Sequence, residues 1–327
     1  MGIEIQAGLA RAKTMNQVYL DTARLMTQVA PLVFADGIFA LKGGTAINLF
    51  LRDMPRLSVD LDLVFVDHRL SRDEALRSIN TAIQKAVNRL EANGFRTHVT
   101  TARDVGEAKL LVRSGNIEVK VEVNFVMRGT VYPVQTASLT TTAKEALLAD
   151  LELPILSLED VYGGKLVAAM DRQHPRDLFD VLQLFGHEGI TPGIRRSFVV
   201  YLASHNRPIH EVLFPTKREI VQEYEGTFRG MTAEPVGLSE LLAARERLIA
   251  ELQQDLSAQE RQFLLSLANA EPEWSLLEIE HLEQLPAIRW KLQNLRELAK
   301  KNPAKLRDQA DELARRLGLS LPSPESA

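Results

Sequence analysis

Along the first 190 positions the apolar residues change period repeatedly. In "MNQVYLDTARLMTQVAPLVF", residues 15–34, they recur every three to four positions, the stripe of a helix packed on one side. "IFALKGG" and "VDLDLVFV" read as short strands flanking a helix of about ten residues. Ser71, with Glu74 three residues on, predicts a capping box for the helix "DEALRSINTAIQKAVNRLEAN", and Gly94 ends it. Two strands follow, "AKLLVRS" and "NIEVKVEVNFVM", joined at Gly115-Asn116. In the second, Ile117, Val119, Val121, Val123 and Phe125 alternate with Glu118, Lys120, Glu122 and Asn124, so one face is core and the other carries charge.

After the polar stretch "TASLTTTAKE", Ser157 and Asp160 open the helix "LEDVYGGKLVAAMDR", and Pro175 starts "PRDLFDVLQLF". From about residue 193 every segment reads as helical, and the polar end "SLPSPESA" reads as unstructured. There is no internal repeat. The pattern predicts an α/β domain with a mixed sheet over residues 1–190, an all-helical domain over 191–320, and a tail at 321–327.

With 327 residues, of which 45% are hydrophobic and 25% charged, the chain has material for two cores. A net charge of -4 excludes a global basic field, so a nucleic acid would have to be met by a local patch. One candidate runs from Arg289 to Arg316, where nine basic residues face four acids. It reads either as a phosphate track or, favoured by pattern alone, as a solvated helix face. Trp290, between Arg289 and Lys291, reads as a stacking platform or as core. The absence of cysteine excludes disulfides, thiolate metal sites and thiol nucleophiles, and it fits a cytoplasmic protein. No run approaches the roughly 20 apolar residues of a membrane span. The start "MGIEIQAGLARAK" has no apolar signal core. The seven histidines show no metal-ligand spacing, which argues against zinc.

The chemistry concentrates in "LKGGTAINLFLRDMPRLSVDLDLVF", residues 41–65. Residues two apart on a strand point the same way, about 7 Å apart, so Asp60 and Asp62 share a face and can grip one hard cation. Leaving them buried and unpaired would cost several kcal/mol. Glu122, on the polar face of a later strand, is the position-based choice for a third carboxylate, with Glu118 as the alternate. The Gly43-Gly44-Thr45 turn lets backbone approach a ligand and offers N–H groups to phosphate. Metal, phosphate and acids together form the layout of phosphoryl or nucleotidyl transfer.

"KGGTAINLF", "RLSVDLDLVF" and "LEDVYGGKLVAAMDRQHPRDLFDVL" resemble the motifs of the AbiEii/AbiGii-type nucleotidyltransferase toxins, over roughly residues 38–186. That family belongs to the polymerase-beta-like nucleotidyltransferase superfamily. It acts in two-gene systems, named for phage abortive infection, with a separate antitoxin. The resemblance implies Gly43, Gly44 and Ser58 at the phosphates, Asp60 and Asp62 on magnesium or manganese, Lys165 on the triphosphate, and Asp180 orienting Lys165 or the acceptor. The superfamily's usual Gly-Ser is Gly-Gly-Thr here, which leaves the phosphate-binding hydroxyl open between Thr45 and Ser58. The reaction implied is nucleotide transfer from a nucleoside triphosphate, releasing pyrophosphate, to an acceptor of the tRNA class. The alternatives are a non-catalytic nucleotide-binding or sensor module and a small-molecule nucleotidyltransferase. Asp177 lies in a helix's first turn, where the dipole alone stabilises an acid, and stays open between that reading and a functional one. His174 and Arg176 in "RQHPRD" read either as holding the loop or as touching phosphate, and for His174, next to proline, the structural reading is favoured.

Overall fold

The computed structural model describes residues 17–102 and 107–320. The N-terminal stretch read above for a signal core, and the tail 321–327, lie outside the described residues. Helix α1 (Gln17–Phe34) leads into β1 (Phe39–Lys42), a helical turn Gly43–Thr45 continued by a wide π-helical turn Ala46–Leu51, and β2 (Asp60–Phe65). Then come α2 (Arg72–Ala92), β3 (Arg96–Ala102), β4 (Glu107–Ser114) and β5 (Ile117–Asn124). After them follow β6 (Gln135–Ser138), α3 (Thr141–Leu147) and β7 (Glu152–Ile155). The rest is helical: α4 (Leu158–Arg172), α5 (Pro175–Phe185), α6 (Pro192–Ala203), α7 (Ile209–Leu213), α8 (Leu238–Gln254), α9 (Ala258–Ala268), α10 (Pro286–Lys301) and α11 (Pro303–Leu317).

The seven strands make one mixed sheet in the order β3-β4-β5-β2-β1-β7-β6. β2 is central, antiparallel to β1 and parallel to β5. Its inward residues Leu61 and Leu63 are fully buried. Leu63, Val121 and Val123 share an apolar core with Val33 of α1 and Ile83 and Ala86 of α2. One face of the sheet is thereby closed by helices, and the alternation of side chains leaves Asp60, Asp62, Lys120 and Glu122 on the other.

Both arms of the Ser71–Glu74 capping box form, and Gly94 leaves α2 with φ +83°. α4 and α5 span the residues predicted for them. Strands β3, β6 and β7 and helix α3 were not legible in the pattern. β3 is "RTHVTTA", β6 is the largely exposed "QTAS", and β7 carries a proline, so none shows a clean period of two.

The chain divides into two compact units. One comprises the residues up to Val161 together with Gln222–Gly237, and the other comprises Tyr162–Val221 and the chain from Leu238. The sequence pattern places its boundary at 190, where strand signals stop, whereas the compact units divide inside α4. Two contacts account for this. At the start of α4, the buried carboxylate of Asp160 accepts the backbone N–H groups of Val131 (3.0 Å) and Tyr132 (2.8 Å), tying that end to the sheet unit. Beyond Val161 the same helix packs on α6, and a Cβ on Gly163 would fall 2.5 Å from that of Ser197. Only glycine permits so close a crossing. The returning segment Gln222–Gly237 also interrupts the helical half, with Arg56 and Thr232 paired in an antiparallel bridge.

In the helical unit Phe198 and Phe263 are fully buried and Phe179 nearly so. Lys291 is buried as well, its Nζ donating to the Arg207 carbonyl at 2.7 Å. It therefore does not belong to the solvent-facing basic stretch in which the sequence counted it. Burial pushes its ammonium pKa down from 10.5 to about 8, against the pull of Glu211. An unfolded chain keeps that proton to higher pH than the folded one, so the burial penalty is present below about pH 8 and fades towards pH 10.5. Urea unfolding of the wild type against Lys291→Met should show the wild type gaining on the order of 2–3 kcal/mol relative to the variant between about pH 7 and about pH 10.

Candidate active site

The sheet unit brings the glycine turn and the acids of β2 together. Lys42, the last residue of β1, is the register partner of Asp62, so the chain enters the Gly43–Thr45 turn beside that carboxylate. Gly43 has φ +75°, and a Cβ built on it would meet Asp62 Oδ2 at 2.5 Å. Both facts demand glycine there. Thr45 is buried, and its hydroxyl proton goes to the Asp60 carbonyl at 2.5 Å. Thr45 Oγ1 then accepts from the Ser58 hydroxyl, 3.0 Å away. Thr45 is thus held inside the turn, with the half-buried Ser58 bonded to it. Arg56, which the sequence reading did not select, lies at the same place. A Cβ on Gly44 would stand 2.7 Å from Arg56 Nη2 and 3.0 Å from Ser58 Oγ.

The parallel pairing of β2 with β5 puts Asp60 opposite Lys120 and Asp62 opposite Glu122. Glu122 is therefore the neighbour of the acid pair, while Glu118 lies beyond the paired stretch and bonds Arg113 at 2.5 Å. Glu122 is not bare. Lys109 approaches it to 3.1 Å and Lys120 to 3.3 Å, and Lys120 also lies 3.9 Å from Asp60. Burial raises the Glu122 pKa, but the two ammonium groups outweigh it and hold the carboxyl below its ordinary value. Among the described residues no three His, Asp or Glu side chains are gathered closely enough to cage a metal. Asp60 and Asp62 themselves lie half-buried beside the turn.

In the helical unit Lys165 is 8% exposed, and its Nζ lies 2.9 Å from both Asp177 Oδ1 and Asp180 Oδ2. Arg172 closes on Asp177 from the other side at 2.9 Å. Burial raises the Asp177 pKa, yet Lys165 and Arg172 bring it below the ordinary carboxylate range. Asp177 and Asp180, three residues apart on α5, reach Lys165 from one side of that helix. His174 caps α5, its Nδ1 accepting from the Arg176 N–H at 3.1 Å, as its structural reading predicts. Asp177 joins the lysine along with Asp180, which the dipole argument had left open.

The chain matches the family model of the nucleotidyl transferase AbiEii toxin, type IV toxin–antitoxin system, over residues 24–294. It belongs to the AbiEii nucleotidyltransferase toxin family. A comparison with curated proteins finds no match. Among solved structures it is similar to MenT4, a nucleotidyltransferase toxin from Mycobacterium tuberculosis H37Rv, with a TM-score of 0.57 and 18% identity, covering 90% of this chain and 98% of that chain. At that identity the likeness speaks for the fold. Membership makes this AbiEii toxin a nucleotidyltransferase, with a nucleoside triphosphate as substrate and an antitoxin as counterpart. Among its described residues no helix is long and apolar enough to cross a membrane. Arg56 stands two residues before Ser58 in "RLSVDLD", but an arginine in a loop carries no period to mark it.

Removing Lys165 leaves two buried carboxylates without their shared cation. Lys165→Ala should therefore lower stability by about 3–5 kcal/mol at neutral pH, read by urea unfolding. The deficit should shrink as pH falls below about 4 and the exposed-state carboxylates protonate, because the wild type loses its ion-pair advantage there. A stability unchanged by Lys165→Ala would contradict the buried geometry.

Proposed function

We propose that this toxin transfers a nucleotide from a nucleoside triphosphate to an RNA acceptor of the tRNA class, in the cytoplasm and with magnesium or manganese. One observation carries the reading. Asp60 and Asp62 project from the polar face of β2 against a glycine turn so tight that no side chain fits at Gly43. Their partly open carboxylate oxygens suit a hard divalent cation, and the tight turn leaves backbone where phosphate would lie. Bound there, such an ion would offset charge on the triphosphate and polarise its α-phosphate. Ser58 and the Gly43–Gly44 turn hold phosphate oxygens, and Thr45 keeps Ser58 in place. Glu122 joins the two aspartates when Lys109 and Lys120 release it. Lys165, aimed by Asp177 and Asp180, contributes a cation for the triphosphate. The acceptor oxygen attacks the α-phosphorus, and pyrophosphate leaves.

The test is transfer of α-labelled nucleoside triphosphates to total RNA by purified protein. Asp60→Asn and Asp62→Asn keep shape and remove charge, and each should lower transfer about 100-fold or more, since metal stabilisation of the transition state is worth several kcal/mol. The same two variants should relieve growth arrest in cells. Normal nucleotide binding with no transfer to any RNA or protein would leave only a nucleotide sensor. Transfer to a small molecule and not to RNA would identify a different acceptor.

The RNA acceptor is supported by α10 and α11. Arg289, Arg296, Lys305 and Arg307 are exposed and make no side-chain ion pair or hydrogen bond among the described residues, and Trp290 beside them is 48% exposed. Lys300 and Lys301 instead share Glu297, and Arg315 and Arg316 share Glu312. The unpaired four are the ones that meet phosphates. Arg289→Glu with Arg296→Glu should weaken RNA binding at least about tenfold and flatten its salt dependence by roughly one phosphate per arginine, with nucleotide affinity unchanged. An RNA affinity indifferent to the pair would return this face to solvent.

A further inference from the structure

The segment Gln222–Gly237 leaves the helical unit, joins the sheet unit, and returns. Its anchors are apolar, with Phe228 1% and Met231 7% exposed. It acts on one short stretch of chain. Leu57 N donates to the Met231 carbonyl at 3.3 Å, Ala233 N donates to the Pro55 carbonyl at 2.9 Å, and between them Arg56 bridges Thr232. Three consecutive residues, Pro55 to Leu57, are thus held by backbone contacts from a strap more than 170 positions downstream.

The residue so held is Arg56, 3% exposed, with Nη1 donating to the Leu57 carbonyl at 2.9 Å. That bond turns the other end of the guanidinium towards Gly44, where Nη2 and Ser58 Oγ converge on the space a Cβ would fill, at 2.7 and 3.0 Å. Gly44 itself is half-buried. Beside it stand Asp60 and Asp62, whose charges repel a polyphosphate.

We infer that Arg56 is a phosphate-binding residue of this site: the strap holds its guanidinium under Gly44, where it meets the triphosphate oxygens together with Ser58. The inference rests on the reading of the glycine turn as the nucleotide site. A guanidinium offers phosphate a planar fork, and because it is buried its field is weakly screened by salt. Its contribution is therefore specific to the phosphates and indifferent to the nucleoside.

The experiment is equilibrium binding to the full chain with magnesium, comparing each nucleoside triphosphate with its unphosphorylated nucleoside, for wild type, Arg56→Lys and Arg56→Gln. Arg56→Gln should weaken triphosphate binding at least about tenfold, as expected for loss of a charge-assisted bond, and change nucleoside binding less than about twofold. Arg56→Lys, which keeps the charge and loses the fork, should fall between. Ala233→Pro, which removes the N–H that grips Pro55, should weaken triphosphate binding in the same selective way. Triphosphate affinity unchanged in Arg56→Gln overturns the inference, and so does an equal loss for nucleoside and triphosphate. A wild type that binds nucleosides and triphosphates equally weakly overturns the nucleotide reading itself and this inference with it.

Discussion

The parallel pairing of β2 with β5 at the centre of the sheet is the constraint on which the candidate site depends. A strand with neighbours on both sides cannot slip by one residue without driving Asp60 and Asp62 into the layer occupied by Leu63, Val121 and Val123. Helices α1 and α2 seal that layer, so the hydrophobic effect fixes which way the acids point. The same register delivers Lys42 from one side and Glu122 from the other. Charge chemistry on the polar face is thus positioned by apolar packing on the opposite one.

The two clusters of acids sit in contrasting surroundings. Asp60 and Asp62 are half-buried beside glycine, with Lys120 3.9 Å from Asp60. Asp177 and Asp180 are buried against Lys165 at hydrogen-bonding distance, an arrangement in which removing one member strands the others. The first cluster is the more open of the two. The second is built to hold one ammonium group in one place, and loss of activity on mutating Lys165 would mix stability with chemistry. Isosteric changes on β2 avoid that ambiguity.

Loop backbone is fixed here by contacts as specific as those of the sheet. Met54 adopts φ +53° where the chain turns back after the π-helical turn, and Asp53 takes the Thr142 N–H at 3.0 Å, tying the loop to α3. Strap contacts at Pro55 and Leu57 then complete the path to Ser58. Every residue from Asp53 to Ser58 except Met54 either contacts a distant segment through its backbone or side chain or borders the glycine turn, and Met54 is fully buried.

Local sequence by itself determined the elements whose signals are local: the Ser71–Glu74 box of α2, the proline start of α5, the alternation of β5, and the shared face of Asp60 and Asp62. These follow from backbone geometry over four to eight residues, and motif resemblance added Lys165 and Asp180 and the family. Only tertiary structure decided the rest. Which glutamate neighbours the acid pair depends on strand register, a pairing between positions 60 apart in the chain. That Lys291 is buried while Trp290 is exposed depends on which side of α10 packs, and Asp177 meets Lys165 only because α4 and α5 turn their polar groups together. Arg56 is placed by a strap from residues 231–233, and nothing within a few residues of it encodes that contact. Periodicity reports how a residue sits in its own element. It cannot report which distant element that residue will meet, because that is settled by the packing of the whole chain.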